Sequence, residues 1–319
     1  MSTRSQTEWE LSAPQTIELT DPVTELDIRL VGGTVSVVGT DDDTARIEVT
    51  RINGPEVVLR QEDGVVRLGY RELFEHDLIA RLRHHLLGWM DREWDAWGHL
   101  VEVTLAVPAA TPTRLSVVHA DAVVSRLTGT TRVRGVTGGL TLTGTEGAVR
   151  VDTVNGDIEV RGGRGSLAVR TVSGRLTAME IGSLALDTES VTGDTLVDVT
   201  EGGAGLTLKS VSGEIVIRLP RESDTAVEAN TTSGKLAHTF DELRVSGGCG
   251  TRQLTGELGS GGRRLRATTV SGSISLLGRP DDSAEESADE GADADTGSDI
   301  GSDTDSESPS TGPSLDKEV

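Results

Sequence analysis

A short pattern recurs along most of this 319-residue chain and constrains the fold more than any other feature. In LAVRTVSGRLTA (167–178), apolar or small residues alternate with polar ones up to Thr171, the phase then slips by one residue, and alternation resumes from Val172. Alternation with a period of two is typical of β-strands. The stretch therefore predicts two short strands joined at a corner.

The two residues at the phase slip form a corner pair that can be followed along the chain. Pairs occur at His119-Ala120, Gly135-Val136, Thr153-Val154, Thr171-Val172, Ser190-Val191, Ser210-Val211, Thr231-Thr232 and Thr269-Val270, with a degenerate candidate at Gly247-Gly248. Most separations are about 16–22 residues, a solenoid period and too short for a domain. The repeat predicts an all-β fold, a single-chain β-solenoid.

A glycine stands two residues after most of these pairs, in phase with the inward-facing residues. The column comprises Gly138, Gly156, Gly174, Gly193, Gly213, Gly234 and Gly272; Gly33 holds the same place in an earlier copy, and Ala122 replaces the glycine in one coil. Glycine tolerates positive φ and close backbone approach. The preceding residues are mostly Ser, Thr or Asn, which suit a corner and should stack as a ladder.

The segments TVNGDIEV (153–160), TVSGRLTA (171–178), SVSGEIVI (210–217) and TVSGSISL (269–276) carry a family resemblance. The chain resembles a bacterial adhesin-like β-strand-repeat family, domain of unknown function 4097, over roughly residues 15–278. The resemblance implies a β-solenoid, and many family members resemble surface or membrane-anchored proteins.

Residues 71–97 interrupt the strand pattern, because apolar side chains there recur about every 3.6 positions. The period predicts a helical insertion in a repeat domain of residues 15–278. Two interpretations stay open: a cap over an end or face of the solenoid, or a docking site for a partner protein through Phe74, Trp89, Trp94 and Trp97. Acidic residues outnumber basic ones in the segment, so the sequence gives weak support to peripheral membrane contact.

The chain carries 52 acidic and 30 basic residues, and much of the excess lies after the repeats. From Asp281 onward there are fourteen acidic residues against Lys317 alone, which predicts a disordered acidic tail over 279–319. Residues 1–14 are predicted to be flexible. No excess of Lys or Arg is available for phosphates, so nucleic acid is not an expected partner.

No apolar run is long enough to span a membrane, and the first residues lack the pattern of an export signal. We therefore expect a cytoplasmic protein without a transmembrane segment.

Charged residues align in two columns when the coils are superposed on their corner pairs. One precedes the pair at Arg134, Asp152, Arg170, Glu189 and Lys209; the other follows the glycine at Asp157, Arg175, Asp194, Glu214 and Lys235. The largely alternating signs predict ladders of ion pairs. Since no carboxylate pair, metal-ligand set or phosphate loop departs from the repeat, no catalytic, cofactor or metal residue is predicted.

The sequence thus favours a non-enzymatic scaffold or adhesin-like binding protein whose partner is a protein. Two alternatives remain: a self-assembling filament resembling the bacterial cytoskeletal β-helices, and an enzyme acting on polysaccharide along one solenoid face.

Overall fold

The computed structural model describes residues 6–71, 98, 100–182, 184–200, 205–248 and 250–279. Within these ranges 24 strands join in one hydrogen-bonded sheet, which confirms the predicted all-β solenoid. They belong to a compact unit, Met1–Arg279. The predicted helical insertion falls almost entirely on residues 72–97, which lie outside the described residues, and the helix is not borne out. The predicted acidic tail lies outside them too, from residue 280 to 319.

The N-terminal part contains eight strands, two of them long. They are β1 (Gln6–Leu11), β2 (Gln15–Leu19), β3 (Glu25–Thr40), β4 (Ala45–Asn53), β5 (Val57–Glu62), β6 (Val65–Gly69), β7 (Leu100–Pro108) and β8 (Thr113–Ser125). Strand β1 lies in the segment that the sequence assigned to a flexible N-terminus. It pairs antiparallel with β5, and Leu11 is fully buried.

Sixteen shorter strands follow, most of them two to a coil. They are β9 (Thr131–Thr137), β10 (Leu140–Thr143), β11 (Ala148–Asp152), β12 (Ile158–Arg161), β13 (Gly165–Thr171), β14 (Leu176–Ile181), β15 (Leu184–Thr192), β16 (Thr195–Val199), β17 (Leu206–Ser212), β18 (Ile215–Leu219), β19 (Thr225–Thr231), β20 (Leu236–His238), β21 (Arg244–Gly247), β22 (Arg252–Leu258), β23 (Arg263–Thr269) and β24 (Ile274–Gly278).

The pairings arrange the strands in two stacks that share β3 and β8. The first stack runs β1-β5-β6-β3-β8-β9-β11-β13-β15-β17-β23-β19-β22-β21. The second runs β2-β4-β7-β3-β8-β10-β12-β14-β16-β18-β24-β20. Repeating coils pair in parallel, whereas antiparallel strands begin both stacks and end the first one.

Alternation buries one side of every coil. In the first stack the inward column includes Val133, Val151, Val169 and Leu208, each no more than 2% exposed. In the second stack Leu142, Val160 and Ala178 are equally enclosed. Burying a Val or Leu side chain contributes about 1.5–3 kcal/mol, so this shared core holds the coils together.

The order of coils in space differs from their order in the chain. Strands β23 and β24 pair with β17 and β18, and β19 and β20 come after them in the stacks. The last coil in sequence is therefore inserted between two earlier ones. Lys235, which the sequence placed beside Glu214, is separated from it by Ser273; the Lys235 amide donates to Ser273 Oγ at 3.4 Å.

The coil at β8 also differs from the predicted alignment. His119 pairs with Thr137, and Ala120 occupies the place of the column glycine, since the Cβ of an alanine at Gly138 would overlap the Ala120 carbonyl. The predicted corner pair His119-Ala120 is thus two residues late, and Ala120 replaces the glycine where the sequence indicated Ala122. The candidate pair at Gly247-Gly248 begins no coil, because β21 pairs antiparallel with β22.

The glycine column is required by contact between consecutive corners. A Cβ at Gly174 would overlap the carbonyl of Gly156, one at Gly193 that of Gly174, and one at Gly213 that of Gly193. Five members, Gly33, Gly138, Gly174, Gly193 and Gly213, also have φ between +114° and +126°. Gly272 and Gly234 continue the close contacts, with Gly213 and Gly272 respectively.

We expect Gly174→Ala to lower the free energy of unfolding by at least about 3 kcal/mol, since it combines a backbone overlap with a left-handed φ. Denaturant unfolding followed by circular dichroism measures the change. Gly248→Ala is the matched control, because a Cβ there meets nothing within 4 Å and should leave the midpoint unchanged. Equal midpoints for the two variants would contradict the role of the column.

A second column of left-handed residues marks the opposite corner, at or just after the ends of the second-stack strands. Arg126, Gly144, Gly162 and Glu180 follow residues that pair in register and have φ between 55° and 62°. Two of the four carry side chains, for which this conformation costs about 1–2 kcal/mol.

Glu180→Gly should therefore stabilise the protein by up to about 1 kcal/mol, despite the greater freedom that glycine has in the unfolded chain. Thermal unfolding compares it with Thr177→Gly, an outward position of the same strand, where glycine should destabilise by about 0.5–1 kcal/mol. A loss of stability in both variants would show that Glu180 is not strained.

Candidate binding surfaces

The corner between the two stacks has a similar structure in several coils. Its first residue points inward: Thr171, Ser210 and Thr269 are all less than 9% exposed. The Thr171 hydroxyl donates to the Ser173 carbonyl at 2.9 Å, and Ser210 makes the equivalent bond to Ser212. These bonds hold each turn within its own coil.

The third residue of the corner joins one coil to the next. The Ser173 amide and hydroxyl both donate to the Val154 carbonyl, at 2.8 and 3.3 Å. Thr192 bonds in the same two ways to the Val172 carbonyl, at 2.8 and 3.1 Å. The hydroxyl ladder predicted from the sequence is present, and it satisfies backbone groups at the edge of the stacks.

The second residue of the corner faces solvent and is usually valine. Val154, Val172, Val191, Val211 and Val270 occupy consecutive coils and are 44–50% exposed. We call these five residues the valine ridge. At about 4.8 Å per coil it extends about 19 Å. Five aligned apolar side chains at one edge are unlike the scattered single ones of an ordinary surface.

Charged residues border the valine ridge on its first-stack side, where one ion-paired group forms. Glu189 accepts from Arg170 Nε at 3.0 Å and from Lys209 Nζ at 3.1 Å. The hydrogen bond from Lys209, then that from Arg170, lowers the pKa of Glu189. The column before the corner is thus an ion-pair ladder over these three coils. Asp152 instead pairs within its own strand, with Arg150.

The column after the glycine works differently from the predicted ion-pair ladder. Asp121, Asp157 and Asp194 accept hydrogen bonds from the backbone amides of Gly139, Arg175 and Glu214, at 2.7, 2.8 and 2.9 Å. Among the described residues no ion pair joins the members of this column. An acidic residue in every second coil therefore accepts a hydrogen bond from the backbone of the next coil. This explains the alternation of charge sign in the column without ion pairs.

The charge group around Glu189 predicts a small pH dependence. The pKa of Glu189 is lower in the folded protein than in the unfolded chain, so the ion pairs of Glu189 contribute stability above the unfolded-state pKa. This contribution is lost as the pH falls through the folded-state pKa. NMR titration should find Glu189 below its ordinary pKa, and Lys209→Met should raise that value. The same pKa in the wild type and the variant would contradict the contact; Arg218→Met is the control.

A third charged column escaped the sequence alignment. Arg114, Arg132 and Arg150 are direct register partners on the outward face of β8, β9 and β11. We call them the arginine row. Arg132 and Arg150 share a place three residues before their corner pairs, a signal the sequence carries. Arg114 was hidden because the β8 corner pair was assigned two residues late.

No constellation suited to catalysis appears in the part of the chain that the structure describes. No three His, Cys, Asp or Glu side chains there are grouped as metal ligands. The carboxyl groups with a clearly shifted pKa, Glu8, Glu189, Asp224 and Glu228, are all shifted downward, by hydrogen bonds from Arg60, Lys209, Ser260 and Arg266 as the largest causes. They remain ionised, unlike a general acid.

A shallow groove lies at the opposite corner of the coils. Its lining includes Gly144, Glu146, Gly163, Arg164 and Glu180. Arg164 pairs with Glu146 at 3.4 Å, and both are well exposed. The groove holds no buried polar group aimed into it and suits solvent better than a small ligand.

The predicted docking residues Phe74, Trp89, Trp94 and Trp97 lie outside the described residues, and their docking role stays a prediction. The flanking strands show where the segment is attached. The chain leaves the first stack at Gly69 and enters the second at Leu100, both in a coil next to β3. No helix of the described residues is long and apolar enough to cross a membrane.

Comparison with known proteins identifies the fold family. The model of the Toastrack DUF4097 family matches residues 16–277. A similar solved structure is that of a proposed cell adhesion protein from Clostridium sporogenes, at 10% identity and a TM-score of 0.22, covering 84% of this chain and 100% of that one. No curated protein matches. The family match, together with the strand pairing, supports a β-solenoid scaffold.

Proposed function

Since the chain belongs to the Toastrack DUF4097 family, we propose that it is a non-enzymatic binding scaffold whose valine ridge contacts an apolar groove on a partner protein. The observation that supports this contact is the exposure of five valines in consecutive coils, Val154, Val172, Val191, Val211 and Val270. A non-catalytic role is supported by the downward pKa shifts of the carboxyl groups named above.

The surroundings of the valine ridge favour a protein over a membrane surface. Arg170, Glu189 and Lys209 border it on one side, and Arg175 and Glu214 on the other, so both signs of charge are interspersed. An apolar centre with a polar rim is the usual anatomy of a protein interface. Anionic lipid would instead be matched by a rim of Lys and Arg.

The rigidity of the ridge also favours binding. Each valine carbonyl accepts hydrogen bonds from the following coil, as Val154 does from Ser173, so the backbone beneath the side chains is held in place. Valine itself has few rotamers to lose. A preorganised apolar surface loses little conformational entropy on association.

The strand order gives less support to an end-to-end filament. A filament of coils needs parallel strands at both ends, but β1 and β21 are antiparallel to their neighbours. In the second stack β2 is antiparallel too, and the terminal strand β20 has three residues. Ends of this kind do not repeat the coil geometry.

Site-specific photo-crosslinking in the native cell tests the proposal. A photoreactive amino acid at Val172 or Val211 should give a discrete adduct with one protein, and the same substitution at Val245 should not. Val245 is the matched control, because it is 47% exposed and lies on β21, away from the ridge.

A second substitution separates binding from chance proximity. Val191→Asp should remove the adduct formed from Val172 while circular dichroism shows an unchanged fold, because a charge in the centre of an apolar contact is poorly solvated. Equal crosslinking from Val172 and Val245, or an adduct that survives Val191→Asp, would overturn the proposal.

A further inference from the structure

We infer that the outward face of the second stack is the interface of a homodimer. The face extends over ten strands in register, β7-β3-β8-β10-β12-β14-β16-β18-β24-β20. Its occupant is a second copy of this chain, packed sheet against sheet. The face lies beside the valine ridge and does not include it, so the dimer is independent of the partner contact proposed above.

The outward side chains of this face carry little charge. One column of direct register partners crosses all ten strands: Thr104, Ser36, Val123, Thr141, Glu159, Thr177, Leu196, Val216, Ser275 and Ala237. We call it the neutral column, because Glu159 is its one charged member. The outward columns of the first stack instead carry charged side chains in most coils. In a chain with a net charge of −22, a neutral face is where two copies meet with the least repulsion.

A second outward column runs beside the neutral column, and its charges are mostly balanced within the chain. It comprises Ala106, Val38, Ser125, Thr143, Arg161, Met179, Asp198, Arg218 and Leu277. Arg161 Nε donates to Glu159 at 2.8 Å. Asp198 is 4% exposed and lies 3.7 Å from Arg279 Nε. Arg218 is the remaining charge, and it is exposed near one end of the face.

No second layer of strands covers this face within the described residues. All 24 described strands belong to one sheet. Leu196 and Val216 are half-buried, whereas their inward neighbours Val197 and Ile217 are fully enclosed. Parallel sheets are usually covered on both faces. Packed sheets lie about 10 Å apart with interdigitated side chains, and the many small side chains of the neutral column permit such an approach.

The size of the face suits a dimer. Ten strands about 4.8 Å apart extend about 43 Å, and four residues of each strand extend about 13 Å. Two such faces in contact bury about 1,100 Å² in total, which exceeds the roughly 1,000 Å² expected of a biological interface. The valine ridge is one side chain wide and offers much less area to a second copy.

The pair of Glu159 and Arg161 makes the face self-complementary. A two-fold axis along the stack places the neutral column of each copy against the second column of the other. Glu159 of one copy then faces Arg161 of the second copy, and the same contact forms twice. Guanidinium and carboxylate groups match through two parallel hydrogen bonds. A closed two-fold dimer uses the same patch on both copies in this way.

Sedimentation of the full chain over a range of concentrations tests the dimer. We expect a species of twice the chain mass in the wild type and at least about tenfold weaker association in Val123→Arg, because the new charge is buried in an uncharged contact. Val245→Arg is the matched control, since Val245 lies on β21 of the first stack, and it should associate like the wild type. Added salt should strengthen the dimer, because it screens the repulsion between two negative chains. Circular dichroism verifies that each variant folds.

Two further comparisons test the arrangement and separate it from the valine ridge. Glu159→Arg and Arg161→Glu should each weaken self-association, and an equimolar mixture of the two variants should form a heterodimer, because opposite charges face each other again. Val191→Asp should leave the dimer unchanged. A monomeric wild type, equal association of Val123→Arg and Val245→Arg, a mixture no stronger than its components, or loss of the dimer in Val191→Asp would overturn the inference.

Discussion

The close backbone contact at the corner glycines is the constraint on which the rest of the fold depends. Where a Cβ at Gly174 would overlap the carbonyl of Gly156, only a residue without a side chain lets the coils approach to strand-pairing distance. The contact recurs at Gly193 and Gly213, so it sets one register for many coils. The two strands of each coil then bury their apolar sides in a shared core.

Because the coils share one register, residues at equivalent positions of successive coils line up as columns on the surface. The same repeat yields an apolar column at the valine ridge, a hydroxyl ladder beside it and a basic column at the arginine row. Their energetic roles differ. The hydroxyls satisfy backbone carbonyls and contribute to folding, whereas the exposed valines and the stacked arginines are neutral or unfavourable for the isolated fold. The exposed valines of the ridge are the residues that we assign to binding.

The charged side chains in the two columns beside the corner have two different roles. Glu189 is held by Arg170 and Lys209, and such exposed pairs contribute at most about 1 kcal/mol. Asp157 and Asp194 instead accept hydrogen bonds from backbone amides of the next coil and so stabilise the corner. The charge pattern therefore serves the solenoid more than any reaction, in keeping with a scaffold.

The sequence by itself determined the all-β repeat, the glycine column and the hydroxyl ladder, because period-two alternation and the need for a residue without Cβ are local properties that each coil displays. Only the tertiary structure decided the order of the coils and the register at β8. Coils with the same apolar pattern can pair equally well with several neighbours, so nothing local placed β23 beside β17. At β8 an alanine, Ala120, stands where the corner glycine would mark the register. The arginine row depends on that register, and it becomes visible only when hydrogen bonds between coils align Arg114 with Arg132.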